Sequence, residues 1–133
     1  MLRRISIRTE SRIEFRDISA ELSSIISDSG VKDGICHVIC MHTTAGLTIN
    51  ENADPDVVID IKARLAALVP EQASYRHSEG NSDAHIKASL IGNSTTLAIE
   101  NGKPLLGTWQ GIHFCEFDGP RNRTVLVKII PDS

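Results

Sequence analysis

A seven-residue apolar run, Ile35-Cys36-His37-Val38-Ile39-Cys40-Met41, restricts the possible folds more than any other stretch of the chain. It is far short of the ~18 apolar residues that suggest a membrane-crossing helix. A strand apolar at nearly every position suits cover on both faces. The remainder of the 133 residues has to supply that cover, and the length suits one domain, residues 1–133, with a single core.

Three helix signals surround this strand. Asp17 can cap a helix with Ile18, Leu22, Ile25 and Ile26 along one stripe, stopped near Gly30. The clearest start is Asp54-Pro55-Asp56: an N-cap, a proline at the first helical position and an acid at the positive end of the dipole. Val57 or Val58, Ile61, Leu65 and Leu68 then predict a buried stripe ending before Pro70. Asn81 or Ser82 can cap a third helix, with Ala84, Ala88 and Ile91 on one side and Gly92 as the stop.

The other segments read as strands. Leu2 to Arg8 alternates, and Arg12 to Phe15 is a candidate hairpin partner for it. A strand from Ala45 to Asn50 follows the apolar run after a bend. The C-terminal third holds Thr95 to Glu100, a turn at Asn101-Gly102, Ile112 to Asp118, and Arg123 to Ile130 beyond the turn Asp118-Gly119-Pro120-Arg121. The order ββαββααβββ keeps helices apart from mostly antiparallel strands. That predicts an α+β domain and not a doubly wound one.

Charge narrows the partners. A formal charge of −3 and a pI near 5.9 argue against nucleic acid and anionic membrane surfaces, which require a basic footprint. Tyr75, Trp109 and three phenylalanines form no evident stacking platform. With no secretory signal pattern, a cytoplasmic location is the expectation. Cys36, Cys40 and Cys115 are odd in number, against a disulfide framework. On one strand, Cys36 and Cys40 would lie roughly 13 Å apart, too far for a disulfide or a shared ion, so buried thiols are the better reading.

The histidines are the chemical candidates. His42 ends the apolar strand on the same face as Cys36, Val38 and Cys40, while His37 points the other way. His77 and His85 bracket a polar stretch, with His85 in the first turn of the third helix, where the dipole disfavours imidazolium. Neutral imidazole is a common zinc ligand, and three leave a fourth position open for water or substrate. The plain alternative for His77 and His85 is a solvated surface ring. His37 and His113, in apolar strands, read as structural. Asp83 is either a carboxylate orienting His85 or a helix-dipole acid. Trp109 and Gln110 offer a wall and a polar contact for a ligand, against a core or interface aromatic. Glu116 puts a carboxylate on an apolar face and has to pair; Arg121 and Arg123 are its natural partners and, equally, phosphate binders. Glu51 and Asn52 suit a turn or capping role.

Six segments taken together resemble the YjbQ family, a match running in order from about Ile5 to Ile130. They are His42-Thr43-Thr44-Ala45, Asn50 to Val57, His77, Gly80-Asn81-Ser82-Asp83-Ala84-His85, Leu106 to Gln110, and Glu116 to Arg121. The resemblance implies a compact β-sandwich with helices packed on it, assembled as a homotrimer with a polar pocket near subunit contacts. It implies a zinc-like ion on His42, His77 and His85, and a side activity of thiamine-phosphate synthase. That reaction joins a pyrimidine-methyl diphosphate to a thiazole phosphate and expels diphosphate.

Three functions compete. One is an enzyme acting on a phosphorylated small molecule, with Arg121 and Arg123 at the leaving group, Asn81, Trp109, Gln110 and Glu116 around the substrate, and magnesium as a further cofactor for a diphosphate. Against it, the chain lacks a Gly-rich phosphate loop and clustered carboxylates. The second is a metal-dependent hydrolase or lyase with Asp83 or Glu51 as base. The third is a non-catalytic trimer that binds a metabolite or metal.

Overall fold

The computed structural model describes residues 1–133. Its elements in chain order are β1 (Leu2–Arg8), β2 (Glu14–Asp17), α1 (Ser19–Ser29), β3 (Gly34–Cys40), β4 (Ala45–Glu51), α2 (Pro55–Leu68), α3 (Ser82–Ile91), β5 (Ser94–Glu100), β6 (Lys103–Pro104), β7 (Gln110–Glu116) and β8 (Asn122–Pro131). The class is α+β, with mostly antiparallel sheets. The two-residue β6 adds one strand to the expected order. It pairs with β5 across Asn101 and Gly102, whose φ angles of 53° and 75° are the left-handed values an Asn-Gly turn supplies.

The strands form two sheets, one of five in the order β1-β8-β3-β5-β6 and one of three in the order β2-β7-β4. Every pairing is antiparallel. The main core lies among Cys36, Val38, Leu97, Val125 and Val127 of the large sheet, Leu47, Ile112 and Phe114 of the small sheet, and Leu22 and Ile26 of α1. Each such side chain contributes about 1.5–3 kcal/mol by leaving water. A smaller cluster forms on the other face of the small sheet, where Ala84 and Ala88 of α3 pack on Cys115 and Phe117. All three cysteines are buried and free. Burial raises the Cys36 thiol to about 11 and pushes Cys40 and Cys115 up as well, so these are inert packing groups.

Helix ends follow the sequence signals in part. Asp54 accepts the N–H of Asp56 at 2.9 Å, with Pro55 at the first position of α2. Asp17 accepts the N–H of Ser19 at 2.8 Å as α1 begins, and Gly30 closes that helix at φ 74°. At the start of α3, neither Asn81 nor Ser82 caps with its side chain.

Three expectations are corrected. β1 and β2 are not a hairpin: β1 joins β8 in the large sheet and β2 joins β7 in the small one. The connection crosses between layers because Glu14 Oε1 accepts the N–H groups of Glu10 (2.8 Å) and Ser11 (3.1 Å), while the Thr9 hydroxyl bonds Glu116 (2.7 Å). The apolar strand β3 is covered on one face only, with Cys36 and Val38 fully buried but Ile35 44% exposed. The α2 stripe is at most half-buried: no residue of that helix is buried, and Leu68 is 71% exposed. One chain has no layer to place over either surface.

Candidate functional site

Four separate segments meet in an open pocket of about 440 Å³. The β3–β4 bend brings His42 and Thr44, the α2–α3 loop brings His77 and Glu79, and the start of α3 brings Asn81 and His85. The β7–β8 turn brings Asp118 and Arg121, with Arg123 from the start of β8. Gly119 makes that turn possible. A Cβ there would sit 2.2 Å from the Ser11 carbonyl oxygen, so no larger residue fits the crossing.

His42 is held by a backbone donor: the Thr124 N–H reaches its Nε2 at 2.8 Å. Nε2 must therefore carry a lone pair, and the neutral ring has its proton on Nδ1. Burial first, then the positive charge of Arg123, hold its pKa below the usual imidazole value. Nδ1–H is the polar group His42 has left to offer. His77 and His85 stand with ring centroids 5.4 Å apart and planes perpendicular, and His77 Nε2 lies 3.9 Å from Glu79.

Asn81 explains the missing cap. Its Nδ2 donates to Asp118 Oδ2 at 2.8 Å, and Oδ1 is buried with no partner. The amide orientation follows from the carboxylate, which can only accept. The side chain forgoes a helix cap worth about 1 kcal/mol, ties the start of α3 to the β7–β8 turn instead, and leaves one acceptor unpaired.

The two arginines differ. Arg123 is buried, with Nε on Glu116 Oε1 at 2.8 Å and Nη2 on the other Glu116 oxygen and on the Thr44 hydroxyl at 2.9 Å. Nε and Nη2 are committed to Glu116 and Thr44, so Arg123 lines the pocket as a buried anchor, and only its Nη1 makes no bond within the chain. Arg121 is half-exposed and tied to Asp118 through Nε (2.9 Å, to the carbonyl) and Nη2 (3.0 Å). Its Nη1 makes no bond within the chain.

Other sequence candidates lie elsewhere. Asp83, one residue from Ala84 on α3, is turned inward and bonded by Arg12 (2.9 and 3.3 Å) and Lys87 (2.9 Å). Glu51 Oε2 accepts the Asp54 N–H at 3.1 Å, and Gln110 Oε1 accepts the Gly107 N–H at 2.8 Å. Trp109 is 62% exposed. The β4–β7 register pairs Ala45 with Glu116 at the pocket end and Glu51 with Gln110 at the other. Six residue steps separate these ends by roughly 20 Å. The pocket residues that sequence reasoning passed over are Met41, Thr43, Thr44, Glu79 and Asp118; Asp118 had a signal in its Gly-Pro turn, and Glu79 had none.

Comparison with known proteins now adds a family. The model of the "UPF0047 protein YjbQ-like" family matches residues 3–132. The chain belongs to the YjbQ-like UPF0047 family. A UPF0047 protein of Methanocaldococcus jannaschii is 58% identical over 132 residues, 99% of this chain and 96% of that protein. YugU of Bacillus subtilis is 48% identical over 131 residues, 98% and 99% of the two chains. Among solved structures, an uncharacterised YjbQ/UPF0047 protein of Clostridium acetobutylicum superposes with a TM-score of 0.94 at 56% identity, covering 96% and 98% of the chains. A YbjQ-like protein of unknown function from Sulfolobus solfataricus gives 0.95 at 30% identity, covering 99% and 97%.

The three-histidine metal expected for such a UPF0047 protein fits these residues only in part. Two rings sharing one tetrahedral ion at ~2.1 Å would have centroids about 5.3 Å apart, close to the 5.4 Å between His77 and His85. His42 does not complete the set as it stands, because Thr124 occupies its lone pair. No three His, Cys, Asp or Glu side chains are grouped closely enough to hold an ion.

Proposed function

We propose that this pocket binds a small phosphorylated molecule and performs acid–base chemistry on it. The observation that supports this reading most is the gathering of His42, His77, His85, Asn81 and Arg121 from four segments into one pocket. The Nδ1–H of His42 and the free Nη1 of Arg121 are donors for phosphate oxygens. Asn81 Oδ1 is an acceptor for a substrate N–H or O–H. His77 and His85 are imidazole rings that can pass a proton to or from a bound molecule. Thiamine-phosphate synthesis would use the anion-binding side of the pocket, as a substitution with no proton transfer: the bond from the pyrimidine methylene to diphosphate breaks, the thiazole nitrogen bonds that carbon, and Arg121 meets the charge on the departing diphosphate.

Titration with inorganic diphosphate, followed by NMR of the histidine rings, tests the reading. We expect saturable shifts at His42 and His85, and at least tenfold weaker binding in Arg121→Ala, in line with the loss of about 1.5–3 kcal/mol for a charged hydrogen bond. Stability should change little, since Arg121 is half-exposed. Unchanged affinity in Arg121→Ala would overturn the assignment.

A second reading has a divalent metal, zinc in particular, on the His77–His85 pair, supported by the 5.4 Å ring spacing. Zinc titration should then lose at least tenfold in affinity in His77→Ala and in His85→Ala, yet little in His42→Ala. Equal losses in all three variants would instead mean that His42 turns from Thr124 to ligate. The homotrimer belongs to the same proposal. The uncovered Ile35 and Ile130 on the large sheet and Leu68 on α2, 44–71% exposed, support a neighbouring copy as their cover.

A further inference from the structure

The structure assigns a second small-molecule site, separate from the histidine pocket, in the cleft between α2 and the outer face of β2 and β7: it fits a small amine with an apolar body. The cleft has a volume of about 410 Å³, enough for a small molecule. His113 of β7 forms part of its floor, beside Phe15 and Asp17 of β2, and Val58 and Ile59 of α2 form the facing wall. Nothing on α2 is buried, so the helix stands over this space without filling it.

The unusual group is His113. It is 4% exposed, and its Nε2 lies 3.0 Å from the Glu51 carbonyl oxygen. A carbonyl can only accept, so Nε2 carries the proton and the neutral ring has a lone pair on Nδ1. That Nδ1 is buried and has no partner. Buried acceptors are nearly always paired, and His113 is one of the residues lining the cleft. Its complement is an N–H or O–H donor.

The surrounding charge favours the N–H of a cation. The Asp17 carboxylate, in register beside His113, is held below the usual range: burial opposes this, but hydrogen bonds from Ser19 and Asn52 outweigh it. Glu51 and Asp54 also line the cleft, against the single cation Lys62. The positive end of the α2 dipole, which would attract an anion, is answered by the chain's own Asp54 and Asp56. The ring of Phe15, 6.3 Å from His113, and the aliphatic Val58 and Ile59 suit a flat apolar body. A protonated aromatic amine has both halves.

Benzylamine is the probe, with benzyl alcohol and benzoate as neutral and anionic counterparts of similar shape. In methyl and amide NMR of the full chain, benzylamine should give saturable shifts at Val58, Ile59 and His113, with benzyl alcohol weaker and benzoate absent. His113→Gln keeps a donor where Nε2 stands and removes the Nδ1 acceptor; Asp17→Asn keeps the acceptor for Ser19 and removes the charge. Each should weaken benzylamine at least tenfold while leaving the diphosphate response at His42 and His85 unchanged. Three results would each overturn the proposal: no saturable shift with benzylamine, unchanged affinity in Asp17→Asn, or benzoate binding as well as benzylamine. Should His113→Gln not fold, Asp17→Asn and the probe series still decide.

Discussion

Glu116→Gln is expected to lower stability by about 3–5 kcal/mol, the range for breaking one side of a buried ion pair. The carboxylate is fully buried and receives four donors: Thr9 Oγ1 at 2.7 Å, Arg123 Nε at 2.8 Å, Arg123 Nη2, and the Asp118 N–H at 3.0 Å. Glutamine keeps the volume but presents an NH2 group to these donors and leaves the Arg123 charge uncompensated at 4% exposure. Urea unfolding measures the effect as a lower midpoint at unchanged slope. Removing both charges, as in Glu116→Met with Arg123→Leu, should recover most of the loss. Thr9 keeps a second acceptor in the Arg121 carbonyl at 3.2 Å, and replacing a buried pair with apolar groups is often neutral. A double variant as unstable as the single one would mean that the pair carries the fold itself.

The same pair sets a pH dependence. Burial pushes the Glu116 pKa up, but the bonds from Arg123, Asp118 and Thr9 outweigh it, and the folded value lies below 4.5. A carboxyl with a depressed folded pKa binds more protons when unfolded. Its stabilisation is complete above the unfolded value and is lost as pH falls through the folded one. Wild-type stability should therefore drop below about pH 4.5, with a shallower drop in Glu116→Gln.

What was legible in the sequence is what depends on local pattern. Asp54-Pro55, Gly30, Gly92 and Asn101-Gly102 mark element ends because backbone conformation at those points is decided by one or two residues. Strand parity separated His42 from His37. Long-range choices were not legible. Whether Arg12 to Phe15 folds back on Leu2 to Arg8 depends on Thr9 finding Glu116, 107 residues away in the sequence. Glu51, Trp109 and Gln110 stand in motifs like those of the pocket residues, yet the register of β4 on β7 sends them to the far end. The α2 stripe is apolar as its spacing predicts, but the predicted burial is absent: no residue of that helix is buried. Asn81 is the instructive case, since the residue that broke the capping rule is the one in the pocket.

Asp83→Asn is the second large effect, expected at about 3–5 kcal/mol, and it separates anchoring from chemistry. From the sequence, Asp83 could have oriented His85. It does not: its buried carboxylate accepts two bonds from Arg12 (2.9 and 3.3 Å) and one from Lys87 (2.9 Å), tying α3 to the β1–β2 connection. Asparagine would leave the Lys87 ammonium, 4% exposed, without a counter-charge. Arg12 suffers less, being 30% exposed with Glu71 at 3.5 Å. Lys87→Met in the Asp83→Asn background should therefore restore most of the stability, because the stranded charge is the main cost. The site gives the independent readout. Asn81 and His85 ride on the same helix, so diphosphate binding should weaken in Asp83→Asn in step with the loosened helix and recover in the double variant. An orienting carboxylate predicts otherwise: binding would stay impaired after stability returned, because Lys87→Met restores packing but not the charge beside His85.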